Sequence, residues 1–108
     1  MDKNQMRSEP IVCTLTAGQW TDRVAEWQQF RRTSVLGSAG GDNVVRLQLA
    51  ASEQALLAAA SLSQREKICC AFFDFAIEIE AGGPWLVIRV PAGAEATLAG
   101  FSAMLETT

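Results

Sequence analysis

The sequence predicts an α+β fold, a two-layer sandwich whose four-stranded mixed sheet follows the order β-α-β-α-β-β-α with helices on one face. Three observations carry this. Residues 73–80 alternate apolar and polar side chains, the period-two pattern of a strand with one dry and one wet face. Residues 20–31 and 94–105 instead repeat apolar positions at helical spacing. The 108 residues, 49% of them hydrophobic, suffice for a single domain over 10–108 with a core that needs no covalent staples.

Residues 1–9 carry no periodic apolar face and read as a flexible arm. Ile11–Leu15 is a β-branched run and the expected first strand. Thr16 and Gln19 have capping-box spacing, opening a helix to about Arg32 with Trp20, Val24, Trp27 and Arg31 as its inner stripe. Arg23, Glu26 and Gln28 fall on its outer side. Gly37–Asn43 is loop-like by composition. Val45, Leu47 and Leu49 alternate with polar or outward positions in the next strand. Ser52 caps an alanine-rich helix to Ala60, and the pair Ser63/Glu66 predicts a bend and a second short helix, Gln64–Ala71.

The hairpin is the clearest local signal. A four-residue loop, Ala81–Pro84, would pair Phe75 with Val90, Ile77 with Ile88 and Ile79 with Leu86. Ala94, Leu98, Phe101 and Leu105 form the buried stripe of a closing helix.

Composition excludes more than it assigns. Histidine and tyrosine are absent, which removes Ser-His-Asp and Cys-His catalysis and histidine-ligated zinc or haem. Nine basic against twelve acidic residues leave no basic excess for a nucleic-acid partner. The polar start is unlike a secretory signal, and no apolar run approaches the ~20 residues of a membrane span. A cytoplasmic protein with reduced thiols is expected, since an odd cysteine count argues against a disulfide framework. No catalytic residue is assigned.

Chemistry concentrates on Cys69-Cys70, at the end of a helix, with Cys13 as a third sulfur if the first strand lies close. Thiolates are soft ligands, suited to Hg(II), As(III), Cu(I) or Zn(II), and Asp74 or water could complete a zinc site. Adjacent helical cysteines point about 100° apart, so they converge only where the helix ends. Lys67 and Arg65 are the nearby cations in sequence, with Lys67 expected to favour the thiolates. Three uses remain open: buried packing residues, ligands to a soft ion, or a redox pair. Arg31-Arg32 reads as a helix-dipole pair, and Asp74, Glu78 and Glu80 as a solvated sheet face.

The run Glu66-x-x-Cys69-Cys70-x-Phe72, with the early Cys13-Thr14-Leu15, resembles a group of small uncharacterised bacterial proteins, some associated with heavy-metal resistance. The resemblance covers about residues 11–105 and implies soft-ion chemistry at the cysteines. Many of that group carry proline after the cysteine pair, where this chain has Ala71. The expected function is therefore a carrier or sequestering protein with Cys13, Cys69 and Cys70 as metal ligands. The rivals are a module that dimerises through an open sheet face around Glu78, Trp85 and Val87, and a thiol redox protein using the vicinal pair.

Overall fold

The computed structural model describes residues 17–106. Its elements are α1 (Ala17–Ser34), β1 (Val35–Gly40), β2 (Val44–Leu49), α2 (Glu53–Cys69), β3 (Asp74–Glu80), β4 (Gly83–Arg89) and α3 (Glu95–Glu106). The α+β class is as the sequence predicts. The four strands lie in the order β1-β2-β4-β3, and every neighbouring pair is antiparallel, where a mixed sheet was expected. The mixed sheet rested on a strand–helix–strand unit beginning at residues 11–15. Those residues lie outside the described part of the chain, as do the 1–9 arm, Cys13 and Thr16 of the first capping box.

The strand that replaces it in the described sheet comes from the segment read as a loop. Val35–Gly40 follows α1 directly and pairs with β2, with a bulge at Leu36 between Val35↔Leu49 and Gly37↔Gln48. Small residues concealed this strand, because strand propensity measures side-chain packing and this edge has little to pack. Gly40 is required by the turn: a Cβ there would strike the Val44 carbonyl oxygen and come within 3.1 Å of the Val45 Cα.

In β3 and β4 the pairing is Phe75↔Ile88, Ile77↔Leu86, Ile79↔Pro84 and Glu80↔Gly83. The expected register is thus corrected by two residues, because only Ala81 and Gly82 lie between the strands and Gly83 takes a positive φ of 117°. A two-residue slip keeps every side chain on its predicted face.

Helix α2 also differs from expectation. It runs unbroken through Ser61–Ser63, and the second capping box does not form. Alanine and leucine on either side favour helix, and burial of Leu62 and Ser63 holds the middle turn against the core. The Ser52 cap is as predicted, accepting from Ala55 N–H at 3.1 Å. In α1 the inner stripe is Arg23, Trp27, Phe30 and Ser34, with Trp20 45% exposed. The spacing is the predicted one, rotated by one residue about Trp27.

Val45, Leu47 and Leu49 of β2 and Leu86 and Ile88 of β4 join one core with Trp27, Phe30, Leu62, Leu98, Phe101 and Leu105 of the three helices. On the other face of the sheet, Val87 is fully buried within the chain. Arg46, opposite it in the ladder, reaches Glu78 and Glu80 at 3.3 Å each and lies 4.4 Å over the Trp85 ring.

Two substitutions test this frame by urea denaturation. Gly40→Ala must displace backbone and is expected to destabilise by about 1–3 kcal/mol. Ser63→Ala removes a buried hydroxyl that has no hydrogen-bond partner among the described residues, and is expected to stabilise by about 1 kcal/mol.

Candidate functional site

The site forms where α2 ends against α1. Helix geometry places Glu66 on the same face as Cys69, one turn earlier. The helix stops at Cys69, and Cys70 leaves it with φ −130° and ψ 76° while its N–H still donates to the Glu66 carbonyl at 2.7 Å. This turn of the backbone brings the two sulfurs to 4.0 Å, the convergence that a continuing helix forbids. All three residues are buried, and one carboxylate oxygen of Glu66 lies with both sulfurs inside a mutual distance of 4.8 Å.

A carboxylate 2% exposed needs compensation. Helix α1 supplies it: Trp27 Nε1 donates to Glu66 Oε1 at 2.8 Å, and Arg23 Nη1 donates to the same oxygen at 3.2 Å. The same Arg23 nitrogen is 3.4 Å from Cys69 Sγ. Burial disfavours the Arg23 charge, but the hydrogen bonds to Glu66 and Cys69 and the charges of those groups outweigh it. Its pKa is raised above the ordinary arginine value.

The two cysteines differ in state. Cys69 carries a thiol, within reach of the Arg65 carbonyl at 3.4 Å and the Glu66 carbonyl at 3.6 Å. Cys70 is disulfide-bonded, where the cysteine count had pointed to reduced thiols. Beside it lies a cavity of about 340 Å³ walled by Trp20, Phe72, Phe73, Phe101 and Met104, with Glu66 and Cys70 on its lining.

Of the sequence-predicted ligands, the structure brings Cys69 and Cys70 together, while Cys13 lies outside the described residues. Lys67 is not the cation of the site. It bonds to the Ala71 carbonyl and to Asp74, and Arg65 bonds to Glu26. Asp74, the suggested extra zinc ligand, is exposed beside Lys67, and the carboxylate near the sulfurs is Glu66. The sequence did contain a signal for both omissions. Glu66 precedes the cysteines by three and four residues, and Arg23 precedes Trp27 by four, so each pair shares a helix face.

Comparison of the chain with known protein families, with curated proteins and with solved structures yields no match.

The burial of Glu66 predicts a strong asymmetry. Arg23→Met leaves a buried carboxylate without its cation and should cost about 3 kcal/mol. Adding Glu66→Leu to that variant should recover at least about 1 kcal/mol, measured by denaturant unfolding in a double-mutant cycle.

Proposed function

We propose that the protein binds a soft metal or metalloid ion at Glu66, Cys69 and Cys70, with Cys13 as a further sulfur, and acts as a carrier or sequestering protein. One observation carries the reading: a buried carboxylate and two buried sulfurs converge within 4.8 Å. The sulfur spacing suits an ion. Two sulfurs each about 2.3 Å from one centre, at about 120°, would be about 4.0 Å apart, and the Cys69 and Cys70 sulfurs are 4.0 Å apart. Charge supports it too. Two thiolates, one carboxylate and the Arg23 cation sum to a double negative charge, which a divalent ion neutralises.

Only reduced Cys70 can supply a thiolate, so binding requires its disulfide to be opened. A cytoplasmic setting, where thiols are kept reduced, would meet that requirement. Among the described residues no helix is long and apolar enough to cross a membrane. The rival, a homodimer through the open sheet face, needs all helices on the opposite face. It draws less support, because Val87 is covered within the chain and Arg46 is engaged with Glu78, Glu80 and Trp85.

The test uses reduced protein titrated with Hg(II) or arsenite. An ultraviolet sulfur-to-metal charge-transfer band should grow to one equivalent. Trp27 fluorescence should change with it, since its indole bonds to Glu66. The double variant Cys69→Ser/Cys70→Ser should show neither signal, and uptake equal to the parent protein would sink the reading.

A further inference from the structure

We propose that the cargo of the cysteine site is a trivalent arsenic carrying one aryl group, with the arsenic on Cys69 and Cys70 and the ring in the cavity beside them. This rests on the soft-ion reading and names the chemical class of what that site binds. A bare ion needs only its ligands, yet the structure sets a cavity of about 340 Å³ against the pair, with Cys70 and Glu66 on its lining. A cavity of about 150 Å³ already holds a benzene molecule, so a ring and its arsenic fit here.

The walls suit a ring. Phe72, Phe73 and Phe101 are buried, and the Phe73 centroid lies 4.7 Å from that of Phe72 and 5.4 Å from that of Phe101. An inserted aryl group therefore meets aromatic faces and edges that already hold one another in place. Met104 adds a polarizable thioether to the wall, and Trp20, 45% exposed, stands where the cavity meets solvent. On α3 the lining residues Ala96 and Gly100 are small and one turn apart, which keeps the space open. A Cβ added at Gly100 would meet nothing within 4 Å beyond its own helix.

Valence and charge agree with the shape. Arsenic(III) bearing one carbon has two bonds left to make, and two sulfurs converge at 4.0 Å. With both cysteines reduced, an arylarsonous acid forms two arsenic–sulfur bonds. Its two hydroxyls leave with the two thiol protons as two waters, the arsenic stays trivalent, and binding consumes no oxidant or reductant. The adduct is uncharged. Glu66 keeps its bonds to Arg23 and Trp27, and the buried region gains no net charge.

Reduced full-length protein is set in competition with dithiothreitol for phenylarsonous acid or for methylarsonous acid, and the bound arsenical is read by native mass spectrometry. Measuring each compound against the free dithiol removes the intrinsic difference between them. The expected relative affinity for the phenyl compound is about tenfold or more above that for the methyl compound, because only the ring buries further apolar surface. Gly100→Leu or Ala96→Leu, each filling the cavity, should remove that preference and leave the affinity for the methyl compound unchanged. Equal relative affinities in the parent protein, or a phenyl preference that survives both substitutions, would overturn the aryl proposal and leave the ion reading standing. Binding of neither arsenical, or equal binding by Cys69→Ser/Cys70→Ser, would overturn both.

Discussion

The hydrogen bond from the Trp27 indole to the Glu66 carboxylate is the constraint on which the rest of the structure depends. It joins the most buried residue of α1 to a charge that cannot reach water. A buried carboxylate is tolerated only when every neighbour is arranged around it, so the bond fixes how far α1 slides along α2. Trp27 also meets Phe101 of α3 edge-on, with ring centroids 5.0 Å apart, and stacks at 6.3 Å on Phe75 of β3. One side chain thus relates all three helices and the sheet. The cysteines inherit their position from that relation, since Cys69 and Cys70 lie three and four residues beyond Glu66.

The electrostatic balance of the site is deliberately incomplete. One guanidinium serves the Glu66 oxygen and the Cys69 sulfur together. With the carboxylate charged and the cysteines neutral, the pair is balanced and the core is stable. Each thiolate formed there adds a negative charge in a region with little solvent to spread it. A bound cation and a disulfide at Cys70 are two chemically different ways to remove that excess.

Much of the fold was legible, and the parts that were not have identifiable causes. The stripe Ala94, Leu98, Phe101 and Leu105 and the alternation of Val45, Leu47 and Leu49 were readable because burial selects a period. The β3–β4 faces were right and the register was two residues off, because period two cannot distinguish slips of two. Strand β1 was missed for the opposite reason: Gly37, Ser38, Ala39 and Gly40 bury almost nothing, so no periodic signal exists. At the site, the convergence of Cys69 and Cys70 was foreseeable once a helix end was assumed. Arg23 and Glu66 were hidden because charged residues are normally read as outward, and only a partner on another helix makes the inward reading affordable.

The continuity of α2 through Ser61–Ser63 shows how fold and chemistry are coupled. A break there, as the second capping box suggested, would have restarted the helix at Gln64 and left its phase relative to Ala55 and Ala59 unconstrained. Because the helix is continuous, Ala55, Ala59, Leu62, Ser63, Glu66 and Cys69 share one buried face, and packing at one end sets the angle at which the other meets Arg23. The orphaned Ser63 hydroxyl belongs to this arrangement. In a helix built only to be stable, alanine would serve better at that position.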